Sequence, residues 1–113
     1  LVVDNDPISL RQVSQSLEDD WVVTTAAGPS QAQILLDAFE YQALITAHGA
    51  AGQDGIGLLE WTRARHPKVR RLLTTDREPA TLAPHLLSGL IQVFLARPVD
   101  REGLRAALEG EQQ

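Results

Sequence analysis

Carboxylates, a loop histidine and a pair of threonines are the groups in this chain whose type and spacing could do chemistry. Asp4, Asn5 and Asp6 follow directly on Leu1-Val2-Val3, and Asp4 could serve as a ligand for a hard cation such as magnesium, which selects oxygen donors. His48 stands in a Gly- and Ala-rich stretch from Ala47 to Gly55, and an imidazole there could in principle accept a phosphoryl group. A lone histidine on a loop is far more often a solvated residue, and His48 has no activating neighbour in the sequence. Asp54-Gly55 precedes a helical pattern, where the pair is more often a turn and cap than a site. Thr74 and Thr75 have no His or acid in a sequence context that would make either a nucleophile. Cysteine is absent, which excludes disulfides, thiolate metal sites and cysteine nucleophiles.

The elements that must position these groups alternate five times between an apolar run and a helical pattern, the sign of repeated β-α units and a parallel sheet. Leu1-Val2-Val3 reads as a buried strand. Asp6 then caps a helix with Pro7 in its first position, where a missing N–H costs nothing, and Leu10, Val13 and Leu17 share its face. Trp21 to Ala26 is rich in β-branched residues and predicts the second strand. Gly28-Pro29 opens a second helix with Ala32, Leu35, Leu36 and Phe39 at helical spacing.

Ala43-Leu44-Ile45 is the third strand, and the third helix carries Leu58, Leu59 and Trp61 and ends near His66-Pro67. Arg71 to Thr74 forms the fourth strand. A fourth helix around Ala80 to Ser88 contains Pro84, which either kinks it or marks a late start. Gln92 to Ala96 is the fifth strand, and Asp100 caps a last helix carrying Leu104, Ala107 and Leu108. Trp21 and Trp61 read as packing residues, and Arg63, Arg65, Arg70 and Arg71 as a solvated edge of an acidic chain. Right-handed crossovers then give an open sheet with helices on both faces. Its working crevice lies at the carboxyl ends of the strands, at Asp4-Asn5, Ala47, Thr74 and Ala96-Arg97.

At 113 residues and 43% hydrophobic content, the chain has the size and core of one domain, residues 1–113. The polar tail 109–113 reads as the start of a linker, and the opening without Met as the inside of a longer product. A net charge of -5 argues against nonspecific binding to nucleic acid or an anionic membrane. No apolar run approaches the ~18 residues of a membrane span. A cytoplasmic location is expected, although a cysteine-free periplasmic domain would fit as well.

The sequence resembles the receiver domains of bacterial response regulators over nearly its whole length. Leu1-Val2-Val3-Asp4-Asn5-Asp6-Pro7 is similar to that family's first strand and acidic cluster, and Gly52-Gln53-Asp54-Gly55-Ile56 with Leu58-Leu59 to its Gly-x-Asp-Gly segment. Leu72-Leu73-Thr74 resembles the fourth strand with its switch threonine. Phe94-Leu95-Ala96-Arg97-Pro98 resembles the fifth, with Phe94 in the switch aromatic position and Arg97 in that of a lysine. The spacing Gly89-x-Ile91-x-x-Phe94 is closer to one subset, which includes regulators of hydrogenase genes and receivers linked to cyclic-di-GMP phosphodiesterases. The resemblance implies a flavodoxin-like α/β fold, doubly wound, with a five-stranded parallel sheet in the order 2-1-3-4-5.

The resemblance fails where the family does its chemistry. Its phosphoacceptor aspartate lies seven residues before the Asp of Asp-Gly, and counting back from Asp54 gives Ala47. A methyl group has neither a nucleophilic oxygen nor a charge for a metal. The two acids after the first strand are Asp4 and Asn5 here, so with Ala47 two of three expected carboxylates are gone. Each carboxylate is worth ~4 kcal/mol per unit charge at ~4 Å and an effective dielectric of ~20, so weak magnesium binding is expected. Asp4 then reads as an acid facing Arg97.

The expectation is therefore a non-enzymatic, phosphorylation-independent receiver with no cofactor and no bound metal. Asp4, Asn5, Ala47, Thr74 and Arg97 would form a vestigial pocket. Such a domain would regulate an output domain of the same chain by contact, with a homodimer as a further expectation, a sensor kinase not implied, and no direct contact with nucleic acid or membrane. The resemblance places the contact surface on the fourth helix, fifth strand and fifth helix, here Ile91, Val93, Arg101 and Arg105. Asn5 and Ala47 are expected at solvent-facing strand ends. Two alternatives remain, a phosphoacceptor using another residue and a small-ligand binder at the same crevice. The second is disfavoured because no Gly-rich phosphate loop follows the first strand.

Overall fold

Short apolar runs become strands here because each finds a parallel neighbour. The structure, a computed structural model, describes residues 1–4, 6–18, 21–48, 55–75, 83–96 and 101–109. Its elements are β1 (Val2–Val3), α1 (Pro7–Leu17), β2 (Thr25–Ala26), α2 (Pro29–Ala38), β3 (Ala43–Ala47), α3 (Gly55–Arg65), β4 (Arg70–Thr75), α4 (Ala83–Leu87), β5 (Val93–Ala96) and α5 (Arg101–Glu109). The strands form one parallel sheet in the order β2-β1-β3-β4-β5; the alternation of elements predicts the parallel sheet, and the resemblance to receiver domains its order.

Side-chain alternation along the strands feeds a core on each face. Val3, Leu44 and Leu73 meet Ala32 and Leu36 of α2 and Leu58 and Leu59 of α3 on one face. Val2, Ile45 and Leu72 meet Leu17 of α1 and Leu104, Ala107 and Leu108 of α5 on the other. Trp21 packs against the second cluster and Trp61 against the first, both as expected.

Local chemistry sets the helix starts. Asp6 is extended and accepts from the Ile8 N–H at 3.1 Å and the Ser9 hydroxyl at 3.1 Å, with Pro7 at the first position of α1. Gly28 cannot cap α2 with a side chain, and Gln31 reaches back to accept from the N–H of Ala27, the residue before the cap, at 3.0 Å. Pro84 falls in the first turn of α4 as described, and the expected earlier part of this helix from Ala80 lies outside the described residues.

Three expectations need correction. The second strand is two residues long rather than Trp21 to Ala26, because the ladder pairs only Val2 with Thr25 and Val3 with Ala26. Phe39 leaves the core face of α2, since it ends the helix in an extended conformation and is 62% exposed.

The basic run is the third. Arg71 is 6% exposed and donates from Nε to the Leu90 carbonyl at 3.0 Å, from Nη2 to Gly89 at 3.1 Å, and from Nη1 to Val69 at 3.3 Å and Pro67 at 3.4 Å. A guanidinium is rich in donors and weakly hydrated, which suits it to a site where backbone carbonyls converge. Gly89 supports the same turn with φ of +83°, a conformation that side chains disfavour. Arg70 donates to the Ala107 carbonyl of α5. Arg63 and Arg65 do face solvent, the latter forking onto Asp37 at 3.0 and 3.2 Å.

Replacing Arg71 strands several carbonyls at once, whereas Arg63 gives up a single long bond to the Ser88 carbonyl. Arg71→Met is therefore expected to lower the unfolding free energy by about 3 kcal/mol, and Arg63→Ala by less than about 1 kcal/mol. Denaturant melts check this, and equal losses for the two variants would disprove the anchoring role of Arg71.

Candidate functional site

Parallel register brings the crevice together. Val3 pairs with Thr46, and Ala47 pairs with Thr74, so Asp4, Ala47 and Thr74 stand abreast at the carboxyl ends of β1, β3 and β4. Adjacent strands lie about 5 Å apart. The Asp4 N–H continues the ladder to Ala26 at 3.1 Å, and the Asp4 Oδ1 accepts from the Asp6 N–H at 2.9 Å. Asp4 is 4% exposed, Ala47 1% and Thr74 3%. Asn5 and Arg97, the other two residues assigned to this pocket, lie outside the described residues. The same is true of Asp54 and Asp100.

Ala47 is thus not at a solvent-facing strand end, and this corrects the expectation. Crowding comes from α3. A Cβ placed on Gly55 would lie 2.5 Å from the Ala47 carbonyl oxygen, 2.9 Å from Leu73 Cδ1 and 3.0 Å from His48 Cβ. The glycine that sequence reasoning assigned to a turn is required by this close approach of helix to strand.

His48 is a second correction. It is half-buried rather than solvated, and its Nδ1 accepts from the Gly55 N–H at 3.1 Å and the Ile56 N–H at 3.4 Å. The ring therefore caps α3, satisfying N–H groups that the first turn leaves without partners. A neutral ring that accepts at Nδ1 carries its proton on Nε2, which leaves no lone pair on Nε2 for attack on phosphorus. Sequence reasoning missed the cap because it looks for Ser, Thr, Asp or Asn directly before a helix, and this one comes from seven residues upstream of Gly55.

The residues present do not fit a magnesium site. At the strand ends described, Asp4 supplies a carboxylate, Ala47 a methyl group and Thr74 a hydroxyl. No group of three or more His, Cys, Asp or Glu able to hold a metal occurs among the described residues. A cavity of about 790 Å³ lies instead at the opposite, amino end of the sheet, walled by Leu1, Leu17, Trp21, Tyr41 and Leu108 among others. The crevice favoured for a small ligand is not where this cavity opens.

The expected contact surface is only partly surface. Ile91 is 1% exposed and belongs to the core under α3, because the turn after Gly89 directs it inward. Val93 is half-buried against the second cluster, and Phe94 is half-buried against the first. Arg105 is exposed on α5, and the side chain of Arg101 lies outside the described set. The apolar exposure of this face comes from Leu86 and Leu87 of α4, the latter 88% exposed, which the sequence reading passed over.

A five-stranded parallel sheet in this order, with an acid, a third-strand terminus and a threonine side by side at one edge, defines the receiver class of α/β domain. The family model described as the response regulator receiver domain matches residues 1–109, and the chain belongs to that family. It is the receiver domain of a two-component response regulator.

Solved structures agree. The signal receiver domain of an HD domain-containing protein from Pseudomonas fluorescens Pf-5 superposes with a TM-score of 0.82 at 28% identity, covering 98% of this chain and 86% of that one. RcsB from Salmonella enterica serovar Typhimurium, bound to promoter rprA with the phosphomimetic BeF3-, gives 0.83 at 25% identity, covering 99% and 96%. A CheY-like receiver domain protein from Methanospirillum hungatei JF-1 shares the fold at 0.86 and 18% identity, covering 97% and 89%. No curated protein matches the sequence. No helix among the described residues is long and apolar enough to cross a membrane.

Millimolar magnesium is expected to leave the thermal midpoint and the tryptophan fluorescence of the domain unchanged. A ligand bound only by the native state raises the midpoint by mass action. A saturable rise would mean that Asp4 and backbone carbonyls suffice to hold the ion.

Proposed function

We propose that this receiver regulates by protein contact without being phosphorylated, acting in the cytoplasm on an output domain of the same chain. The observation that carries the reading is Ala47, a buried methyl group at the end of β3 where the family places its phosphoacceptor. His48 supports it, since its Nδ1 is engaged by the start of α3 and the ring is a helix cap rather than a nucleophile. The domain on this reading is no enzyme and needs no cofactor. The contact surface we propose is the α4–β5–α5 face, with Leu86, Leu87 and Arg105 exposed on it, and it serves an output domain or a second copy of the chain. Receivers of this fold occur joined to output modules, as in the HD domain-containing protein of Pseudomonas fluorescens.

The test uses acetyl phosphate and intact mass. The unmodified domain is expected to keep its mass, and gain of one phosphoryl group that His48→Ala abolishes would refute the reading. The double variant Ala47→Asp with Asn5→Asp separates a lost site from an unsuited scaffold. Burying an ionised carboxylate at position 47 without a partner costs several kcal/mol, so this variant should melt lower than the parent. Magnesium should then raise its midpoint while leaving the parent unmoved, and slow phosphorylation should follow. A double variant indifferent to magnesium would show that the scaffold lacks more than two acids.

A further inference from the structure

The imidazole of His48 is the acceptor for two backbone N–H groups, and only one protonation state of the ring can be that acceptor. A neutral ring presents a lone pair at Nδ1; a protonated ring has donors on both nitrogens. Protonation would also set a positive charge against the positive end of the α3 dipole. We propose that His48 is a protonation-sensitive cap, whose neutral ring holds the start of α3 on the end of β3 and whose protonation releases it.

The surroundings support an effect centred on this contact. Gly55 is pressed onto the Ala47 carbonyl and the His48 Cβ so closely that no side chain fits. The backbone of His48 is itself fixed, with its N–H donating to the Thr74 carbonyl at 3.0 Å. The first turn of α3 contains no acidic residue, and Glu60 is the only acid within the helix. Charged groups on the neighbouring elements are Asp4 after β1 and Asp6 at the start of α1, while the adjacent end of β4 contributes Thr74 and Thr75 and no charge. Asp54, Asp76, Arg77, Glu78, Arg97 and Asp100 occur in the flanking segments of the sequence, outside the described residues.

Imidazole and carboxylate ordinarily titrate near about 6.5 and about 4, so the two windows separate. In the unfolded chain His48 takes up its proton freely; in the folded chain protonation competes with the cap. The unfolded state then binds more protons through the imidazole window, and stability falls as pH falls. The contribution of the cap is present where the ring is neutral and is lost where the ring is protonated.

Nitrogen-15 NMR of the intact domain tests this through the His48 ring and the amides of Gly55 and Ile56, with Ile45 of β3 as internal reference. At about pH 8 the ring should carry its proton on Nε2 alone. On acidification to about pH 5 the protection of the Gly55 and Ile56 amides should fall about tenfold relative to Ile45, the size of a lost cap. His48→Asn places a non-titrating oxygen near the position of Nδ1 and should keep that protection at both pH values. His48→Ala should lack it at both. His66 pairs with Asp37 at the far end of α3, away from Gly55. The proposal fails if the ring titrates while Gly55 protection stays constant, if the Nε2–H tautomer is absent at high pH, or if His48→Asn repeats the drop.

Discussion

Leu44 of β3 packs into the core on one face of the sheet and Ile45 into the core on the other, and Leu44, Ile45, Thr46 and Ala47 are all buried. A strand enclosed on both sides cannot slip by one residue, because each side chain would then change face and core. Everything at the crevice inherits its position from that restraint. The ladder from Ile45 to Val2 fixes β1 and so places Asp4, and the ladder from Ala47 to Thr74 fixes β4. The end of β3 then becomes the floor on which α3 begins. Gly55 follows from this floor, since only a hydrogen in place of a side chain lets the helix start so near the Ala47 carbonyl.

Most of the fold was legible because its determinants are local. The apolar runs at 1–3, 43–45 and 71–74, the Asp6-Pro7 cap and the Gly28-Pro29 start each announce an element from a few neighbouring residues, their alternation gives a parallel sheet, and the sheet order came from the family resemblance. The misses share a different origin. Arg71 looks like surface charge to any reading that weighs side chains alone, because its partners are backbone carbonyls of two turns that sequence does not display. Ile91 looks like strand edge until the left-handed turn at Gly89 redirects it. Phe39 keeps helical spacing, but the helix stops just before it. At the crevice, the absence of an acid at 47 was plain in the sequence, whereas the cap by His48 depends on a fold that returns Gly55 to the end of β3.

Losing carboxylates has a stabilising side. Like charges held about 5 Å apart at an effective dielectric of ~20 repel by ~3 kcal/mol, and a receiver that keeps its full acidic cluster bears that repulsion until a cation relieves it. Here the position abreast of Asp4 on β3 is a methyl group, and position 5 is an amide. Asp4 can be held by the Asp6 N–H and remain buried without a like charge beside it on β3. With Ala47 and Asn5 at these positions, the mutual repulsion is smaller than in a cluster of three carboxylates.

β4 shows how the two ends of the sheet divide their roles. Thr74 lies at its carboxyl end beside Ala47, and Arg71 lies toward its amino end. The turn joining α4 to β5 is bound through Arg71 at the Gly89 and Leu90 carbonyls, and the Gln92 side chain accepts from the Arg71 N–H at 2.8 Å. These bonds fix the base of α4, and with it Leu86 and Leu87, by contacts that do not pass through the crevice. A receiver that switches must couple the threonine end to this face. One that is anchored from the other end can present the same face continuously. Arg71 therefore fixes the end of α4 that carries Leu86 and Leu87 by bonds made away from the crevice.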